Sequence, residues 1–135
     1  MAKLNVEIVT PERRVAVLTA DEVVAPAAEG LYGVLPGHSA FLGLLAAGPL
    51  TVRTGGQTEG WFVAGGFFEV AADVVRVLAD QAEPLSSLDV EAAAVRLRAA
   101  EQRYAALAPG DAGLEAAAEV VQRERSRLYT ARQRR

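Results

Sequence analysis

The chain has 135 residues, a mass of 14.2 kDa and a formal net charge of −3; 51% of its residues are hydrophobic and 23% charged. That is the composition of one folded domain, or of a small domain with an appendage. With no cysteine, one histidine and one lysine, the sequence excludes disulfides, thiolate chemistry, cysteine zinc sites, multi-histidine metal centres and a Gly-Lys-Ser/Thr phosphate loop. Its acidic balance offers nucleic acid no general attraction.

In chain order, Leu4, Val6 and Ile8 alternate with Asn5 and Glu7, the period-two pattern of a half-buried strand. This alternation also lacks the basic start and apolar run of a secretory leader. Thr10-Pro11-Glu12 punctuates the chain, and Val15 and Val17 restart the alternation. Further strand-like pieces are Val23-Val24, Gly48 to Arg53, Gly60 to Ala64, Phe67 to Val70 and Val74 to Ala79. Gly55-Gly56-Gln57, Gly65-Gly66 and Ala71-Ala72-Asp73 read as turns between them. Short strands at such spacing, without intervening helices, predict an antiparallel sandwich or barrel. Trp61, Phe62, Phe67 and Phe68 would form its core or an adhesive face.

Composition changes near residue 86. Residues 1–86 carry five basic and ten acidic side chains, a net of −5, whereas residues 87–135 carry nine arginines and seven acids, a net of +2. The second part is rich in alanine, of which the whole chain holds 27 residues. Ser87 can cap a helix, with Asp89 and Glu91 in its first turn. Val90, Ala93, Leu97, Ala100, Tyr104 and Leu107 form one apolar seam, and Pro109-Gly110-Asp111 ends it. A second helix from about Leu114 presents Ala117, Ala118, Val121, Leu128 and Ala131, with Glu124 and Arg125 interrupting that side. About five linking residues predict an antiparallel hairpin. The organisation is therefore α+β: an N-terminal antiparallel β-sandwich over 1–86 and a C-terminal two-helix hairpin over 87–135. No stretch is apolar enough to insert directly into a membrane. The expected product is intracellular, either soluble or peripheral to something larger.

No catalytic constellation emerges. For His38, in Leu35-Pro36-Gly37-His38, no serine or carboxylate beside it forms a recognisable relay, so a turn or interface role is expected. Gly65-Gly66 lies between strands and reads as a bulge or a close backbone approach rather than a nucleotide loop. Arg123, Arg125, Arg127 and Arg132 crowd the end of the second helix. They read as favourable cations at a helix C-terminus or as a docking face for an acidic partner; RNA binding is a third reading, weakened by the lack of lysine and of stacking aromatics beside them. The hairpin's thin apolar seam likewise leaves two readings side by side, a permanently packed hairpin and a movable arm.

The segment from Val24 to Ala40, containing Glu29-Gly30-Leu31-Tyr32-Gly33 and Leu35-Pro36-Gly37-His38, resembles the epsilon subunit of bacterial F-type ATP synthases. Val63 to Val70 with its glycine pair, Val77-Leu78-Ala79-Asp80-Gln81-Ala82-Glu83 and Leu88-Asp89-Val90-Glu91-Ala92-Ala93 resemble the same family in the same order. The resemblance implies a non-catalytic rotor subunit with a sandwich of about ten strands that binds the gamma subunit and the c-ring. Glu29, Gly30, Leu31, Tyr32 and His38 would lie at those contacts. It further implies a hairpin that inhibits ATP hydrolysis when extended toward the alpha and beta subunits, where Arg123, Arg125, Arg127 and Arg132 would act. A helix of about 22 residues would reach about 33 Å, and Glu83-Pro84-Leu85-Ser86 would be the hinge. The implied location is the cytoplasmic face of the bacterial inner membrane, as a peripheral component.

Two departures from the family qualify the site. Members that bind ATP on the hairpin carry an arginine where this chain has Ala92, although Glu83, Leu88, Asp89 and Ala93 match; weak or no ATP binding is therefore expected, and no other cofactor. Many relatives also carry an acid after Glu-Gly, where this chain has Leu31 and Tyr32, so a c-ring contact would use Glu29 or apolar surface. The rival reading is a free-standing sandwich that binds through exposed Trp61 and phenylalanines, with the hairpin as a dimerisation or docking arm.

Overall fold

Alternation of apolar and polar residues, broken by glycine and proline, produces ten strands before the helices begin. The computed structural model describes residues 2–134. The strands are β1 (Leu4–Val9), β2 (Arg14–Ala20), β3 (Glu22–Ala27), β4 (Gly30–Val34) and β5 (Phe41–Leu44), followed by β6 (Gly48–Thr54), β7 (Gln57–Ala64), β8 (Phe67–Ala71), β9 (Val74–Leu78) and β10 (Gln81–Pro84). A single 3₁₀ turn at Leu85–Ser87 precedes α1 (Val90–Ala105) and α2 (Leu114–Gln133). Two compact units result, Met1–Ser86 and Ser87–Arg135.

The first unit is a sandwich of two five-stranded sheets, ordered β2-β1-β9-β8-β5 and β10-β7-β6-β3-β4. Among the described residues every strand pairing is antiparallel except one: β1 runs parallel to β9, with Val6 opposite Val75 and Ile8 opposite Val77. Leu4, Val6 and Ile8 point inward as their alternation requires, at no more than 1% exposure. In β2, Val15 and Val17 are not equivalent: Val15 packs against the core and Val17 is exposed. Val6 pairs with Leu18 and Ile8 with Ala16, which share the core face, and the register then shifts between Ile8 and Val9.

Trp61, Phe62 and Phe68 are buried, whereas Phe67 is exposed. That burial removes the aromatic binding face on which the free-standing-module reading depended. Strands β4, β5 and β10 carry weak periodic signals because Gly30, Gly33, Gly43 and Pro84 dilute them. Pro84 tolerates its place because β10 is an edge strand. Glu83 and Pro84 pair with Phe62 and Trp61, so half of the hinge expected at 83–86 is strand.

The helices span 16 and 20 residues, about 24 and 30 Å at 1.5 Å per residue, both shorter than the helix of about 22 residues expected for the arm. Ser87 is held in the 3₁₀ turn, and Asp89 is the cap instead, its carboxylate accepting the Ala92 N–H at 2.9 Å. Residues 106–113 join the helices. There Asp111 accepts the Gly113 N–H at 2.7 Å, and its backbone carbonyl accepts the Leu114 N–H.

The β7–β8 turn uses Gly65 and Gly66, both at positive φ (73° and 87°). A Cβ on Gly66 would collide with the Leu78 carbonyl, which confirms the close backbone approach. Gly66→Ala should therefore destabilise the sandwich by about 2 kcal/mol or more. Gly55→Ala, also at positive φ (62°) but with open space around it, should cost about 1 kcal/mol. Urea unfolding followed by Trp61 fluorescence measures both.

Candidate functional site

The chain leaves one sheet along the edge strand β4 and enters the other along the edge strand β5. This crossing gathers the residues around His38. The Tyr32 ring on β4 stacks on Phe41 of β5, with centroids 4.3 Å apart and planes 12° apart, and both rings pack near the buried Phe68. Gly43 is required beside them, because a Cβ there would press into the Phe41 and Phe68 rings.

His38 Nδ1 lies 2.6 Å from the Ser39 carbonyl oxygen, and Nε2 lies 3.0 Å from the Tyr32 hydroxyl. A carbonyl only accepts, so Nδ1 donates; in the neutral ring Nε2 then accepts the tyrosine proton. With both nitrogens engaged, His38 staples the crossing loop to Tyr32. Asp73 ties the same loop from another side by accepting the Gly37 N–H at 2.7 Å.

Glu29, Gly30 and Leu31 are exposed at the start of β4, Leu31 by 73%. Leu42 and Leu44 on β5 and Phe67 on β8 are exposed as well, and Leu44 pairs directly with Phe67. Across the rest of that sheet, Arg14, Glu7, Arg76 and Glu69 form a cross-strand ladder of ion pairs at 3.0–3.2 Å. The outer face thus divides into a charged, solvated part and an apolar margin at β5.

In the hairpin, Glu124 occupies the inward face of α2, with its side chain 3% exposed. Burial by itself would raise its pKa. Hydrogen bonds from Arg96 and Arg123, with their positive charges, outweigh that and hold the carboxyl below the ordinary range. Arg96 of α1 donates from Nε at 2.8 Å and from Nη2 at 3.3 Å, Arg123 from Nε at 3.0 Å and Arg127 from Nε at 2.9 Å. Glu124 is therefore the centre of the helix contact rather than an interruption of it. Its sequence signal was an acid on the seam, between two arginines of its own helix and opposite a third.

The cluster divides the four arginines singled out from the sequence. Arg127 is buried and Arg123 half-buried on Glu124, while Arg125 and Arg132 are exposed, Arg125 lying 3.8 Å from Glu101. Leu88, Asp89, Ala92 and Ala93 come together at the start of α1. Leu88 and Ala93 are buried, and Asp89 is occupied as the cap. Glu83 belongs to β10 in the other unit. Among the described residues no group of three or more His, Asp or Glu side chains could hold a metal.

A carboxylate whose folded pKa is depressed adds stability above its unfolded value and loses it as pH falls through the folded one. Acid titration of the full chain should therefore melt the hairpin's helical circular dichroism below about pH 4. In Glu124→Gln that acid limb should be absent, and the starting helicity should be lower.

Residues 3–85 match the family model described as "ATP synthase, Delta/Epsilon chain, beta-sandwich domain". Over 131 residues the chain is 48% identical to the ATP synthase epsilon chain of Myxococcus xanthus (strain DK1622), covering 97% of this chain and 96% of that one. It is 42% identical to the ATP synthase epsilon chain of Granulibacter bethesdensis (strain ATCC BAA-1260 / CGDNIH1), over 98% and 99% of the two chains. A chain of the Euglena gracilis mitochondrial ATP synthase has the same fold, with a TM-score of 0.80 at 24% identity over 93% of this chain and 79% of that one. So does a chain of the Tetrahymena thermophila mitochondrial ATP synthase central stalk and c-ring structure, with a TM-score of 0.63 at 16% identity over 96% and 95%. Because the bacterial match runs through both the sandwich and the hairpin, the chain belongs to the epsilon-chain family, a non-catalytic subunit of ATP synthase.

Proposed function

We propose that this chain is a rotor subunit whose sandwich binds the gamma subunit and the c-ring, coupling proton-driven rotation to ATP synthesis, and whose hairpin inhibits ATP hydrolysis. The observation that carries the reading is the near-full-length similarity to bacterial epsilon chains, which extends past residue 85 into the hairpin. The sandwich contact is assigned to Glu29, Gly30, Leu31, Tyr32 and His38, where the aromatic stack and the His38 staple present a rigid corner beside exposed leucines. The apolar Leu31 makes that contact less salt-dependent than an acidic one. Arg125 and Arg132, already exposed, supply the charge for the alpha and beta subunits. Arg123 and Arg127 are engaged by Glu124 and make no contact of their own with those subunits in this reading. The location assigned is the cytoplasmic face of the bacterial inner membrane, held there by the complex; no helix among the described residues is long and apolar enough to cross a membrane.

Affinity capture of the tagged chain from detergent-solubilised membranes should recover gamma. Deleting residues 87–135 should preserve assembly and raise ATP hydrolysis by the complex several-fold. Unchanged hydrolysis would reject the inhibitory role, and loss of gamma from the capture would reject the rotor role.

The hairpin does not bind ATP in this reading. Asp89 spends its carboxylate on the helix cap, Ala92 offers a methyl where a guanidinium would be needed, and Arg123 and Arg127 are engaged by Glu124. Calorimetric titration with MgATP should show no binding in the micromolar range.

A further inference from the structure

Among the described residues, the buried apolar side chains of the helical unit are Leu88, Ala93, Ala100, Leu128 and Ala131. Three of the five are alanines, and a stripe of methyl groups does little to distinguish one register of two helices from the next. The Glu124 cluster makes that distinction. Arg96 reaches from α1 with two donors, one to each carboxylate oxygen, and a bidentate pair sets both the height and the rotation of one helix against the other.

Three guanidiniums meet the Glu124 carboxylate. Two of the three, Arg123 and Arg127, sit on the same helix as Glu124 and move with it. Arg96 is the cation from the other helix, and its side chain is 52% exposed. Separating α1 from α2 therefore leaves no lone carboxylate, because Glu124 keeps its two neighbours while Arg96 passes into water. A buried pair without such counter-ions would resist separation far more, since removing one partner strands a charge.

We propose that Arg96 and Glu124 form a releasable latch that holds α1 on α2 in one register, with Arg123 and Arg127 as the counter-ions that retain Glu124 when the latch opens. The latch is a property of the hairpin alone and does not depend on the rotor reading.

The absence of cysteine allows clean spin labelling of the full chain at Ala99→Cys and Gln122→Cys, both exposed positions on the two helices. The parent should give one narrow short distance by pulsed electron spin resonance. Arg96→Met should add a longer, broader population and speed amide exchange in α1 by about tenfold or more. Arg123→Gln should act in the opposite direction, slowing that exchange, because it makes Glu124 more dependent on Arg96. Arg98→Met, which removes an exposed arginine of the same helix outside the cluster, should match the parent. Trp61 emission reports the sandwich independently, so a variant that loses only its helical signal counts as fully opened.

Parent-like distances and exchange in Arg96→Met would overturn the latch, as would an equal opening in Arg98→Met. Faster exchange in Arg123→Gln would overturn the counter-ion role.

Discussion

Two five-stranded sheets face each other through side chains that alternate along every inner strand, and this period-two constraint governs the rest of the first unit. Leu4, Val6 and Ile8 can all turn inward only if their neighbours do so in phase. The antiparallel partner supplies Ala20, Leu18 and Ala16, and the parallel partner supplies Val75 and Val77. A slip of one residue in β1 would put Asn5 and Glu7 into the core. Because β1 lies between β2 and β9, it joins the chain's first hairpin to strands from near the end of the sandwich. The position of the edge strands follows from that order. β4 closes one sheet and β5 the other, and a bridge joins Ala27 at the end of β3 to Leu45 just after β5. The short crossing between them had to be a tight corner, which is why Tyr32, His38 and Phe41 meet there.

The elements readable from sequence were those whose burial follows one simple period. β1, β6, β7, β8 and β9 have valine, leucine and aromatic runs bounded by glycine or Ala-Asp turns, and both helices show spacings of three and four. What escaped had a specific physical cause in each case. β4 and β5 are diluted by Gly30, Gly33 and Gly43, and the reason for Gly43 is spatial: the Phe41 and Phe68 rings occupy the place of its side chain. In β2 the valine alternation does not define one face: Ala16 and Leu18 follow Ile8 and Val6 inward, Val15 packs on the core beside the register shift at Val9, and Val17 is exposed. The parallel β1–β9 pair joins residues about 70 positions apart, and no local pattern encodes it.

The candidate site was legible in the same uneven way. His38 stood out as a lone titratable residue in a Pro-Gly turn, and its engagement by Tyr32 and Ser39 is consistent with a turn role. Phe41, which carries the stack, had no signal beyond being aromatic. Glu124 was seen but interpreted through hydropathy alone, which counts a carboxylate on an apolar seam as a defect. Charge pattern across the two helices would have given the opposite answer, since Arg96, Arg123 and Arg127 surround that position. Buried ions are read correctly only in groups.

The two units are held together by different physics, and that difference bears on what each can do. In the sandwich, Phe68, Leu50 and the buried valines are removed almost entirely from water, each worth about 1.5–3 kcal/mol, and any rearrangement would expose many at once. Such a body is suited to transmitting force through a fixed corner. In the hairpin the buried alanines contribute little transfer free energy, and the specific contact is ionic, with one partner half in water. Separating its helices leaves behind a carboxylate that keeps two counter-ions on its own helix. The same sequence therefore joins a body built on apolar burial to a pair of helices whose most specific contact is ionic.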